Sequence, residues 1–446
     1  MSAPSQTAEY RRETGLLGFA VSASGGLVYL YFVLASHALS AVEYGELVLL
    51  WSVSYVAAAV LFRPIELLLA RTLAEVIEQG GSQAHAIRVA AVIQAVILAI
   101  AVGLAFAGRG ALEGDLFGDD ATLFAVLIVA LIGFGFNFYA RGLLAGRRRF
   151  EAYTSLLVLE SVARVVFAIV VALGIASGQD AIALGIAVAP IISLIVVPSA
   201  LRRSRPQAAT PAAGHLSLAA GGGFAAAVLV VMLAEQAILT SGPLFVRASE
   251  GAAAAGLIFN VLLIARAPLV LFQAVATSLL PRLTRLRARG DATAAREFAS
   301  SVRNTALGCL AFGALVALAG LALGPEVMEL GFGSDSEYDR LGIVIVAIGT
   351  GFHLTATTLT QAALARARAG TAALCWGAGA VLFLIVNALP GLDQVRQVEI
   401  GFAATGVVLC VLLYVLYRRP DLPGSPSLAP GEELELQMAA TDEAFG

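Results

Sequence analysis

The chain has 446 residues, of which 59% are hydrophobic and only 13% charged, and its mean hydropathy is +0.87. Soluble functions are excluded, because a soluble chain carries a far smaller apolar share. The net charge of −3 says less than the placement of the charges, which gather in short patches between apolar runs near the ~20 residues that a spanning helix needs.

Twelve such runs predict helices near residues 15–39, 46–70, 87–108, 121–140, 154–176, 181–201, 219–243, 255–279, 304–324, 341–362, 371–390 and 400–417. The expected fold class is an all-α polytopic membrane protein of two six-helix lobes. Its predicted parts are a cytoplasmic N-terminal segment 1–14, an N-lobe 15–201, a cytoplasmic linker 202–218, a C-lobe 219–417 and a cytoplasmic tail 418–446. The tail is rich in Pro, Gly and acids and reads as disordered. No connection is long enough for a folded soluble domain.

Arg11 and Arg12 precede the first span, and "SHALSA" at Ser36–Ala41 resembles a signal-peptidase site. That run is long for a signal's apolar region and further spans follow it, so the arginines read as the cytoplasmic flank of a first helix.

The second span holds "LFRPIELLLAR", which places Arg63, Pro64 and Glu66 inside an apolar run. An arginine at helix-centre depth costs roughly 2.5–3.5 kcal/mol even on a lenient insertion scale, so it should face a cavity or a partner. The proline removes a backbone donor and predicts a bend. Either Arg63 grips an anion, or it pairs with Glu66 three residues on.

The outer connection "EGDLFGDD" at Glu113–Asp120 is acidic, as is "GSDSEYDR" at Gly333–Arg340. Both read as solvated loops, since neither has calcium-loop spacing. After span 4, "RGLLAGRRRFEAY" at Arg141–Tyr153 reads as a cytoplasmic anchor that can touch anionic lipid headgroups. In span 5, Glu160 and Arg164 have the i,i+4 order that favours a helical ion pair, with gating as the rival reading.

Span 7 contains Glu235, with no charge nearby in sequence, as a candidate to carry a proton or sodium ion, the rival reading being a protonated glutamic acid hydrogen-bonded to a neighbouring helix. Span 8 contains Arg266, followed by Pro268. Asn137, Asn260, Gln273, His353, Gln361 and Asn387 read as hydrogen-bonding contacts between helices. Cys309, Cys375 and Cys410 lie in apolar runs and read as small core residues.

All 28 basic residues are arginine. With the N-terminus in the cytoplasm, alternate connections hold 21 arginines on the cytoplasmic side and 4 on the other, with Arg63, Arg164 and Arg266 inside spans. The positive-inside rule then predicts that both termini are cytoplasmic, in a cytoplasmic (inner) membrane.

The two halves repeat one pattern. "AVEYGELVLLWSV" before Arg63–Pro64 aligns with "GAAAAGLIFNVLL" before Arg266–Pro268, and "GFGFNFYARGLLAGRRRF" aligns with "GTGFHLTATTLTQAALARARAG". Six spans per half give repeats of equal orientation, so a pseudo-two-fold axis along the membrane normal is expected. Two guanidiniums at matching positions suggest a clamp for phosphate or pyrophosphate, because the guanidinium fork binds such oxygens bidentately.

These stretches, with "FRPIELLLARTLAE" and "AGLIFNVLLIARAPLVLFQAVATSLLPRLTRLRARGD", resemble the multidrug/oligosaccharidyl-lipid/polysaccharide exporter (MOP) superfamily, and within it the Wzx-like polysaccharide flippases. The resemblance implies alternating access by two lobes and a cargo of oligosaccharide on polyprenyl pyrophosphate. It also implies cavity arginines on helices 2 and 8, matched here by Arg63 and Arg266. It departs from the cation-coupled multidrug branch, because the first span has no acid.

The function expected is therefore flipping of a lipid-linked oligosaccharide, with Arg63, Arg266 and Glu66 binding substrate and Glu235, Glu160 and Arg164 as coupling or gating candidates. The alternative is a cation-coupled exporter of small amphipathic molecules. No P-loop, nucleophile elbow or zinc motif occurs, so no enzyme activity, metal or cofactor is expected. The expected partners are the lipid-linked cargo, membrane lipids and polysaccharide-assembly proteins, with no nucleic acid.

Overall fold

The computed structural model describes residues 3–78, 82–202, 218–289, 291–333, 338–389, 391 and 393–419. The linker 203–217, loop residues 334–337 and the tail from 420 lie outside the described residues, and with them the expectations placed there. The described residues form two compact units, one up to Arg202 and one from Leu218.

The first unit contains α1 (Ala3–Ala38), α2 (Ala41–Ala57), a π-helical turn (Ala58–Phe62), α3 (Arg63–Glu78) and α4 (Gln83–Ala107). A second π-helical stretch (Ala111–Leu116) leads to α5 (Ala121–Gly146), α6 (Phe150–Ala172), α7 (Gln179–Ser193) and α8 (Val196–Arg202). The second unit contains α9 (Leu218–Thr240), α10 (Gly242–Glu250), α11 (Ala252–Arg289), α12 (Ala292–Phe332), α13 (Arg340–Ala365), α14 (Ala369–Ala388) and α15 (Gln394–Arg418). Among the described residues, ten helical stretches are long and apolar enough to cross a membrane. With α1 and α11, helices occupy all twelve expected positions, and the chain is a multi-pass membrane protein.

Several helices outrun their apolar runs. α1 starts at Ala3 rather than residue 15, α5 continues to Gly146 rather than 140, and α12 spans Ala292–Phe332 rather than 304–324. Arginine and alanine are strong helix formers, so a helix continues into a charged stretch until a cap stops it. Those caps are explicit. Ser40 and Glu43 form a reciprocal capping box at α2, and Asp120, Asp291 and Asp393 accept backbone N–H groups at the starts of α5, α12 and α15.

The bend expected at Arg63–Pro64 is a π-helical turn. Pro64 has no N–H to donate, and the Arg63 N–H reaches back five residues to the Ala58 carbonyl. In the first unit, α5 packs on α3, α4 and α7, while α6 packs on α1 and α7. In the second, α13 packs on α11, α12 and α15. Glycine permits the closest crossing there: a Cβ on Gly313 would lie 2.5 Å from the Gly351 Cα.

Candidate functional site

Gly142 and Gly146, the small residues of "RGLLAG" on α5, set the first site. A Cβ on Gly142 would stand 2.8 Å from the Glu66 carbonyl oxygen, and one on Gly146 would stand 2.7 Å from Leu73 Cβ. Small residues four apart thus bring α3 against α5 over two successive turns. Arg63 and Glu66 on α3 thereby come into electrostatic contact with Arg141 on α5.

Arg63 is 4% exposed and Glu66 1% exposed. Tyr153, on α6, donates its hydroxyl to Glu66 Oε1 at 3.0 Å. Arg141 also reaches Glu160: its guanidinium donates to Oε2 at 2.7 Å, while Arg164 donates to Oε1 at 2.8 Å. Asn137 adds a third bond to Glu160 Oε2 at 3.1 Å, and the same amide donates to Ser193 Oγ at 2.8 Å. The Arg164 guanidinium stacks 4.5 Å above the Trp51 ring, and Trp51 lies parallel to Tyr55 with centroids 5.6 Å apart.

This set contains three guanidiniums, Arg63, Arg141 and Arg164, and two carboxylates, Glu66 and Glu160, all buried. With all five ionised they carry one positive charge in excess, in surroundings where unbalanced charge is costly.

The arrangement corrects the reading of "RGLLAGRRRFEAY" as a cytoplasmic anchor at its two ends, while Arg148 and Glu151 between them are exposed. Arg141 lies inside α5, buried between two carboxylates, and Tyr153 is buried against Glu66. Sequence periodicity missed both because α5 runs past the end of its apolar run at residue 140 and α6 begins at Phe150, before its apolar run at 154. The Gly-xxx-Gly spacing was the available signal of a close crossing. Arg266 lies in α11, and its side chain, like that of Gln273, is outside those described.

In the second unit Glu235, which has no charge nearby in sequence, meets a titratable group from another helix. His353 Nε2 on α13 lies 2.7 Å from Glu235 Oε1 on α9, with both side chains buried. The imidazole stacks on Phe402 at 6.0 Å and meets the edge of Trp376 at 5.4 Å. Asn387 bonds within its own helix, to the Phe383 carbonyl at 2.8 Å.

Several acids in or beside the acidic connections are held by the protein itself. Glu113 pairs with Arg109 at 2.5 Å, and Asp120 accepts from Gln179 at 2.9 Å. Arg396 bridges Asp339 and Glu399. Among the described residues, no group of three His, Cys, Asp or Glu is placed to hold a metal ion.

No protein-family model matches the chain, and no curated protein matches it. Solved structures do. An inward-facing multidrug resistance MATE transporter of the MOP superfamily superposes with a TM-score of 0.64 at 14% identity, covering 89% of this chain and 94% of that one. The lipid II flippase MurJ, in an inward closed conformation, gives 0.65 at 11% identity, covering 91% and 87%. A MOP superfamily transporter from Pyrococcus furiosus, described as having a binding pocket of reverse polarity, gives 0.60 at 13% identity, covering 91% and 94%.

The fold is that of the MOP superfamily transporters. Within the MOP fold, these identities establish architecture and leave the cargo to be argued from the residues.

Proposed function

We infer that the protein flips an oligosaccharide carried on polyprenyl pyrophosphate across the cytoplasmic membrane by alternating access. The observation that carries this reading is the buried set of Arg63, Arg141 and Arg164 against Glu66 and Glu160. A surplus guanidinium in a low-dielectric interior favours an anionic cargo and disfavours the organic cations that a cationic-drug exporter would carry.

Arg63 binds the pyrophosphate with Glu66 beside it, and Arg266 on α11 serves the same cargo in the second half. Glu160 holds both Arg141 and Arg164, and Glu160 and Arg164 act as gating residues. The halves 15–201 and 219–417 act as the two lobes, with both termini, the linker 202–218 and the tail in the cytoplasm. The fold likeness to a structure titled as a lipid II flippase supports a lipid-linked cargo in general terms.

One observation favours a second reading, the cation-coupled export of small amphipathic molecules. Glu235 and His353 form a buried pair of titratable groups 2.7 Å apart, and a multidrug resistance MATE transporter shares the fold. Under the leading reading the same pair couples cargo movement to protons.

The experiment is extraction of lipid-linked saccharides from the host with and without the gene, sorted by leaflet. Inner-leaflet accumulation of a pyrophosphate-linked oligosaccharide upon deletion supports the flippase. An unchanged lipid pool, together with loss of efflux of small amphipathic compounds, selects the second reading.

A further inference from the structure

Glu66 has one oxygen to spare. Its Oε1 accepts the Tyr153 hydroxyl at 3.0 Å, whereas its Oε2, equally enclosed, has no hydrogen-bond partner. The side chain is 1% exposed. A carboxylate offers about four lone-pair sites, and leaving a buried oxygen without a donor costs more than the hydrogen bond itself would return. Positive charge is supplied nearby by Arg63 and Arg141, so what Oε2 lacks is a directional donor.

The helix fixes where that donor must be. Arg63 and Glu66 stand i,i+3 on α3, which places their Cβ atoms ~5–6 Å apart on one face. A phosphate held by Arg63 therefore leaves Oε2 within reach of a group only one or two bonds beyond the phosphate ester. Tyr153 keeps the carboxylate oriented from the α6 side, so the open oxygen has a fixed direction.

The geometry points to Glu66 as the residue that reads the first sugar. Its Oε2 accepts a hydrogen bond from a donor, hydroxyl or acetamido N–H, on the carbon next to the one bearing the pyrophosphate. This deepens the flippase reading and rests on it. Arginine recognises the charged linkage common to all such carriers, while Glu66 separates carriers by what is attached. Tyr153 is a positioning residue for Glu66.

Binding to the full-length protein in detergent tests this with three probes: farnesyl pyrophosphate, farnesyl-pyrophosphoryl glucose, and the 2-deoxyglucose analogue that lacks the adjacent hydroxyl. Wild type should bind the glucose probe roughly tenfold or more tighter than the 2-deoxy probe, as expected for a hydrogen bond to a charged acceptor. Glu66→Gln should bring that ratio within about twofold, because only the probe bearing the adjacent hydroxyl loses a contact. Tyr153→Phe, which keeps the ring, should lower the ratio and leave farnesyl pyrophosphate unchanged.

If Glu66→Gln tightens all three probes alike, Glu66 is only a counter-ion to arginine and the inference fails. If it weakens all three alike, or if wild type does not distinguish glucose from 2-deoxyglucose, the sugar-reading role is likewise overturned. A wild type that binds none of the three removes the flippase reading itself. Should Glu66→Gln fail to fold, the Tyr153→Phe ratio decides.

Discussion

His353 Nε2 on α13 lies 2.7 Å from Glu235 Oε1 on α9, 118 residues away in sequence. One proton shared between an imidazole and a carboxylate leaves the pair neutral overall, as acid and base or as an ion pair, and a second proton gives it a net positive charge. The Trp376 and Phe402 rings, from α14 and α15, lie against the imidazole. His353→Ala removes the imidazole from between them and with it the 2.7 Å hydrogen bond to Glu235, at an expected cost of about 2–4 kcal/mol. Glu235→Gln retains a hydrogen bond and should cost about 1 kcal/mol. Denaturant unfolding in micelles measures both. Transport by Glu235→Gln should lose its dependence on a proton gradient, read as rate against imposed pH difference.

Glu160 bridges Arg141 and Arg164. Replacing Glu160 with Gln removes the carboxylate that Arg141 and Arg164 share, while Glu66 still faces Arg141, and a loss of about 1–3 kcal/mol is expected. A double-mutant cycle between Arg141→Met and Glu160→Gln should give a coupling of at least about 1.5 kcal/mol. Additivity within about 0.5 kcal/mol would show that the two side chains do not act together.

The α3–α5 crossing makes a sharp contrast among glycines. A methyl group on Gly142 or Gly146 meets backbone atoms at 2.8 Å, whereas one on Gly103 of α4 meets nothing within 4 Å. Gly142→Ala and Gly146→Ala should each destabilise by about 1–3 kcal/mol through forced separation of the helices. Gly103→Ala should be neutral or stabilising by up to about 1 kcal/mol. Thermal unfolding of the three variants side by side is the check.

Two carboxylates at helix starts give a pH dependence of known sign. Asp291 is held below the usual carboxylate range chiefly by the Ala294 N–H, which it accepts at the start of α12. Asp339 is held low chiefly by its hydrogen bond from Arg396. A carboxyl whose folded value is depressed stabilises fully above its unfolded value of about 3.9, and that contribution is lost as pH falls through the lower folded value. Amide exchange in the first turns of α12 and α13 should therefore accelerate on acidification through this window. In Asp291→Asn the α12 part of that acceleration should vanish.

The positions of the helices were legible because lipid demands long apolar runs. Their ends were not, since arginine carries no helical penalty: Arg141, Arg296 and Arg303 all continue helices that hydropathy alone had ended. Within one helix the Glu160–Arg164 spacing announced its contact. Contacts between helices had no such signature, as Tyr153 is 87 residues from Glu66 and His353 is 118 from Glu235. The π-helical turn before Pro64 was foreshadowed as a bend, and its hydrogen-bond register became visible only in the folded helix.

Transbilayer movement in proteoliposomes tests the central claim most directly. Purified protein in vesicles of phosphatidylethanolamine and phosphatidylglycerol would be given a fluorescent polyprenyl-pyrophosphoryl saccharide, with a membrane-impermeant quencher reporting the outer leaflet. Wild type should expose the inner-leaflet pool to quenching, and Arg63→Ala should slow that movement by about tenfold or more while leaving phospholipid scrambling at background. Movement no faster than in protein-free vesicles, or equally fast in Arg63→Ala, would contradict a flippase built on the buried arginine cluster.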